Sequence, residues 1–97
     1  MAHQTRLFDP AAYLDSDEAL AAYVNEALET NDPAFIADAL GIVARARGMS
    51  QIARDTGLSR ESLYRTLSPD GNPELSTLLR IVRALGLRLS AVPESAS

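Results

Sequence analysis

Residues 49–67 read MSQIARDTGLSRESLYRTL, and the spacing predicts two short helices joined by a tight corner. Ile52, Ala53 and Thr56 fall on one side of the first, and Leu63 and Leu67, four apart, on one side of the second. Gly57 stands where the first helix must stop, because glycine takes the left-handed conformation that ends a helix at little cost. Ser59 is placed to cap the second helix by accepting a bond from an orphan backbone N–H. Ala53 is small where two steeply crossed helices approach. Helix, glycine corner, helix is the pattern of a helix-turn-helix, whose second helix enters the major groove of DNA. The competing reading of the same pattern is an ordinary corner in a helical domain.

Working outward, Gly48 ends the preceding helix and doubles as the N-cap of the one starting at Met49. Asp32 and Pro33 open that preceding helix, expected over 33–47, with Phe35, Ile36, Leu40 and Val43 facing inward and Arg45 and Arg47 in its last turn. Asp15 or Ser16 caps an earlier helix over about 17–29, with an apolar stripe of Leu20, Tyr23, Val24, Ala27 and Leu28. That stripe packs on the domain or fills a partner's groove. Asp9-Pro10 marks a further short helix, with Phe8 as a staple against Tyr13 or Leu14. Downstream of the motif, residues 68–73 (SPDGNP) are turn formers. Leu75, Leu78, Leu79, Val82 and Leu85 then form another amphipathic helix ending at Gly86, with Arg80 and Arg83 exposed. Leu87 to Val92 alternates apolar and polar, the period of a half-buried strand. A lone strand needs a partner, so this one is a candidate dimer or partner contact. Pro93 stops it.

The fold class expected is therefore all-α: five or six helices of a repressor-like helix-turn-helix domain, an N-terminal helical extension and a short C-terminal strand. Residues 1–31 form the acidic extension, 32–92 the DNA-binding domain and 93–97 a tail.

The 97 residues carry a net charge of −4, an unusual balance for a DNA binder, but the charge is unevenly spread. Residues 1–38 hold eight acids and one arginine, and residues 39–97 hold eight arginines and five acids. Two surfaces with different partners would produce this split, and so would plainly solvated acidic helices. There is no cysteine and no lysine, and the single histidine, His3, lies near the N-terminus. Disulfides, thiolate metal sites and a cysteine nucleophile are excluded. No catalytic constellation and no phosphate-cradling glycine loop is present, so neither enzyme activity nor any cofactor or metal is expected. No apolar run is long enough to span a bilayer and the N-terminus does not read as a signal peptide, so a cytoplasmic protein is expected.

If Leu63 and Leu67 face the core, Glu61 and Arg65 face outward, with Arg60 and Ser62 at the helix start and Tyr64 toward the flank. Arginine can bond guanine O6 and N7 through two N–H groups, and glutamate can accept from cytosine N4. The plainer alternative for Arg60, Glu61 and Arg65 is an exposed helix with a Glu61–Arg65 ion pair. Ser50, Gln51, Ser59, Tyr64 and Asn72 are candidate phosphate contacts, which set register without reading sequence; Tyr64 could equally be core. One copy offers few contacts, so specific binding calls for a homodimer reading two half-sites.

The segment from about Asp9 to Val92 resembles addiction-module antidote proteins of the HigA type, which carry a phage-repressor-like (XRE-type) helix-turn-helix. The resemblance rests on FDPAAYL (8–14), ARARGMSQIARDTGLSRESLYRTLS (44–68), GNPELSTLL (71–79) and ALGLRLSAV (84–92). It implies a type II antitoxin that neutralises a cognate toxin, commonly a basic RelE- or ParE-like protein, and represses its own operon on double-stranded operator DNA. It also implies that Arg60, Glu61, Ser62 and Arg65 occupy recognition-helix positions. Met49 stands where repressor-type proteins often carry a phosphate-touching Gln. A stand-alone transcriptional regulator is the alternative, and a structural helical adaptor a third reading.

Overall fold

The computed structural model describes residues 15–94. The helix expected at Asp9-Pro10 and the Phe8 staple lie outside the described residues. Five helices follow in order: α1 (Asp17–Glu29), α2 (Pro33–Arg47), α3 (Met49–Thr56), α4 (Arg60–Thr66) and α5 (Leu75–Ala84).

Local chemistry sets the boundaries. Ser16 Oγ accepts from the Ala19 N–H at 3.1 Å and starts α1. Thr30 closes it, its hydroxyl donating to the Ala27 carbonyl at 2.6 Å. Asp32 Oδ1 accepts from Ala34 and Phe35 N–H groups, with Pro33 at the first helical position. At Gly48 one residue serves two helices. Its N–H bonds the Ala44 carbonyl at 2.9 Å to end α2, and its carbonyl accepts from Ile52 at 3.1 Å to open α3. An ion pair between Arg47 and Asp17 joins the end of α2 to the start of α1.

One core runs through all five helices: Leu20 and Val24 from α1, Leu40 and Val43 from α2, Ile52 from α3, Leu63 from α4 and Ile81 from α5, joined by Met49, Leu67 and Leu85. The α1 stripe is packed inside, as its spacing predicts. Met49 is buried, which removes it from any contact with phosphate.

Three expectations need correction. Phe35 does not face inward but stands 49% exposed. It lies in the first turn of α2, ahead of the stretch from Ala37 to Ala44 where neighbouring helices close round the rod. In α5 the buried face is Ile81, Val82 and Leu85 with Leu78 packed against it, while Leu75 and Leu79 are 67% and 45% exposed. Both sets repeat at helical spacing, and α5 turns the first toward α3. The short C-terminal strand is absent among the described residues, where residues 87–92 find no second strand edge to pair with.

Gly41 marks a close approach of two helices in the core. A Cβ there would stand 2.4 Å from the Leu67 carbonyl oxygen, so the missing side chain is what lets the end of α4 settle on α2. Gly41→Ala is expected to destabilise the fold by about 1–3 kcal/mol, the usual range for overpacking. Urea unfolding followed by circular dichroism measures it.

Tyr23, half-buried on α1, has its phenol pKa raised above the ordinary 10.0, first by burial and then by the negative charges of Asp38 and Glu26. The fold therefore favours the neutral phenol. The resulting stability is fully present below pH 10 and is lost as pH rises through the folded-state value. Alkaline unfolding is expected to begin later in Tyr23→Phe than in the parent chain, read as the midpoint of a pH-dependent melt.

Candidate nucleic-acid interface

The corner between α3 and α4 is wired by short hydrogen bonds. Thr56 is buried, and its hydroxyl donates to the Ile52 carbonyl at 2.8 Å while accepting from the Leu58 N–H at 3.2 Å. Gly57 follows in the left-handed conformation (φ 79°), its N–H bonded to the Ala53 carbonyl at 2.9 Å. Arg80 of α5 reaches across and donates to the Thr56 carbonyl at 3.0 Å, satisfying an orphan acceptor at the end of α3. Ser59 Oγ accepts from the Ser62 N–H at 3.0 Å and opens α4. The arrangement is consistent with a helix-turn-helix domain.

On α4 the inward positions are Leu63, with 0% exposure, and Leu67 just after its end. Arg60, Glu61, Tyr64 and Arg65 are exposed, and Ser62 is half-buried at the flank. The Arg60 guanidinium lies 6.0 Å from the centre of the Tyr64 ring, at the outer reach of a cation–π contact. At 42% exposure Tyr64 is not core; its ring forms a shelf under Arg60. The alternative Glu61–Arg65 ion pair does not form. Among the described residues the one ion pair is Arg47–Asp17, and both α4 arginines keep their donors clear of carboxylates. Five N–H donors in a planar fork suit either a guanine edge or a phosphate.

The candidate phosphate contacts differ in readiness. Ser50, Gln51, Ser59 and Asn72 are all exposed. The Ser59 hydroxyl oxygen is occupied by capping, but its proton remains available to donate. Gln51 is tied into its own helix: its Nε2 donates to Asp55 at 2.9 Å, and its Oε1 accepts from Arg54 at 2.7 Å. It would release Asp55 to reach a phosphate. Asn72 sits in the loop ahead of α5 and makes no side-chain hydrogen bond among the described residues. Sequence reasoning placed Thr56 on the inner face but missed its bridging role, and missed the Arg80 brace altogether. Nothing in the spacing of residues 24 apart signals such a bond.

A family model described as "Probable addiction module antidote protein" matches residues 4–93. The chain belongs to this antidote family. A relative from Haemophilus influenzae (strain ATCC 51907 / DSM 11121 / KW20 / Rd), described as an uncharacterized protein, is 48% identical over 88 residues, covering 91% of each chain. No solved structure matches the chain. The family match takes in α1 and residues 87–92 as well as the corner. An antidote family implies, in general, a toxin as partner. Among the described residues no helix is long and apolar enough to cross a membrane, and no cluster of three or more acidic, histidine or cysteine side chains could hold a metal ion.

Proposed function

We propose that this chain is the antitoxin of a type II toxin–antitoxin module, acting in the cytoplasm without enzymatic activity. It binds a RelE/ParE-like toxin and represses its own operon by reading double-stranded operator DNA as a homodimer. The observation that carries the DNA half is the exposed Arg60–Tyr64–Arg65 face of α4, opposite a fully buried Leu63 and held on a hydrogen-bonded corner. Arg60, Glu61, Ser62 and Arg65 read base edges. Ser50, Ser59, Tyr64 and Asn72 touch phosphate, and Gln51 does so once it leaves Asp55. Residues 32–92 supply this surface. Family membership supports the toxin half, and the acids exposed along α1 (Glu18, Glu26 and Glu29) complement a basic toxin.

Two measurements test the reading. Co-expression with the product of the adjacent gene is expected to give a stable complex and to relieve that product's toxicity; a neighbour that neither binds nor harms the cell removes the toxin half and leaves a stand-alone regulator. A gel-shift series on the upstream promoter is expected to show a specific shift that weakens as salt rises. An adaptor would give no specific shift at any salt.

A further inference from the structure

Residues 87–92 leave the body with no backbone partner among the described residues. Leu85 caps α5, and the two bonds that follow, Gly86 N–H to the Arg83 carbonyl at 2.9 Å and Leu87 N–H to the Val82 carbonyl at 3.0 Å, fix the exit of the chain in a Schellman arrangement. Beyond Leu87, no backbone hydrogen bond among the described residues involves residues 88–92. Leu87 and Leu89 are half-buried and, with Leu79 and Val82 of α5, line an open apolar groove of about 520 Å³.

We propose that residues 87–92 pair antiparallel with the same residues of a second copy, forming a two-stranded ribbon centred on Leu89. The inference stands whether or not the chain binds DNA or a toxin. Successive N–H groups of an extended chain point to opposite sides. In the proposed ribbon the segment is extended, and because the Leu87 N–H points back to Val82, the N–H groups of Arg88, Ser90 and Val92 form the pairing edge. Pro93, which has no N–H, falls on the inward set, so it stops the strand without gapping that edge.

Register follows from the side chains. Centred on Leu89, each Leu87 faces the partner copy's Ala91 and the two Leu89 side chains meet, so Leu87, Leu89 and Ala91 share one face over the two grooves, with Arg88, Ser90 and Val92 on the other. Arg88 then lies opposite the partner copy's Ser90. A centre on Arg88 would set two guanidinium groups face to face, and a centre on Ser90 would set Arg88 against Val92; both are poorer pairs. A two-fold axis is the symmetry by which one edge satisfies a copy of itself and closes. The groove rim also carries Arg80, Arg83 and Arg88, which disfavours a basic protein as the occupant.

The chain has no cysteine, so single thiols report the axis directly. In the full-length protein, Leu89→Cys is expected to form a disulfide-linked dimer under mild oxidation. Leu87→Cys is not, because at roughly 3.4 Å per residue its two copies stand about 14 Å apart along the ribbon, beyond disulfide reach. Sedimentation equilibrium is expected to show a dimer of the 10.4 kDa chain. Leu89→Asp, with circular dichroism confirming that the helices persist, is expected to raise its dissociation constant roughly a hundredfold, from two lost leucine burials and two facing carboxylates. A wild-type chain that stays monomeric at all concentrations overturns the proposal. So does a dimer indifferent to Leu89→Asp, or linkage at Leu87→Cys as ready as at Leu89→Cys. A monomer whose toxin binding is lost in Leu89→Asp overturns it too, and assigns the groove to the toxin.

Discussion

Replacing Leu63 with alanine is expected to lower the unfolding free energy by about 2–5 kcal/mol. The leucine has no solvent exposure and sits in the cluster with Val43, Ile52, Leu67 and Ile81. Its removal forfeits transfer free energy and leaves a hollow. The hollow closes poorly, because Gly41 already holds the end of α4 at backbone contact distance. Helix α4 has seven residues, fewer than the ~12–15 an isolated helix needs. Its existence therefore depends on this anchor more than on its own propensity. Against a total of about 5–15 kcal/mol for a domain of this kind, the change is large. Leu75→Ala, at an exposed position of α5, is the control and is expected to stay within about 0.5 kcal/mol of the parent. Urea denaturation of both variants measures the difference. A Leu63→Ala loss no greater than the control's would mean that α4 is not seated on the core as described.

What the sequence revealed and what it hid divide along one line. Asp32-Pro33, Gly48, Gly57 and Ser59 act on atoms within four residues of themselves, so their roles follow from type and position, and the structure places each as expected. The buried pair Leu63 and Leu67 was legible too, because one helical spacing offered one choice. Helix α5 offered two: 75, 78, 79, 82 and 78, 81, 82, 85 are both sound stripes, and the choice between them is made by α3, which no local pattern encodes. Phe35 failed differently. Its hydrophobicity is real, but its depth depends on how far α1 and the following helices reach along α2. The Arg80 bond to Thr56 belongs to tertiary geometry, and only coordinates bring it into view. At the candidate interface, the type and side of Arg60, Glu61 and Arg65 could be read, whereas the absence of the Glu61–Arg65 pair and the Arg60–Tyr64 stacking could not.

Arg65→Ala is expected to weaken operator binding by about 1–3 kcal/mol for each half-site, the value of a two-pronged arginine–guanine contact. In a symmetric dimer both half-sites lose it at once, so the total approaches twice that. The residue lies in the last turn of α4, exposed and away from any carboxylate among the described residues, so its removal leaves no buried group unpaired and the fold should be untouched. Binding to random DNA separates the two roles an arginine can have. A base contact costs affinity on the operator alone, and the ratio of specific to non-specific binding falls. A phosphate contact costs the same on both and flattens the dependence of log affinity on log salt by about one counterion's slope for each half-site. Arg60 should behave differently, because Tyr64 shelves its guanidinium. Tyr64→Phe keeps the ring and removes only the hydroxyl, so it should leave Arg60 in place and lose at most one phosphate bond. Tyr64→Ala should cost more, by freeing Arg60 to sample other rotamers. If Arg65→Ala and Arg60→Ala both leave operator affinity unchanged while the fold is intact, α4 does not read the groove and the DNA half of the proposed function is wrong.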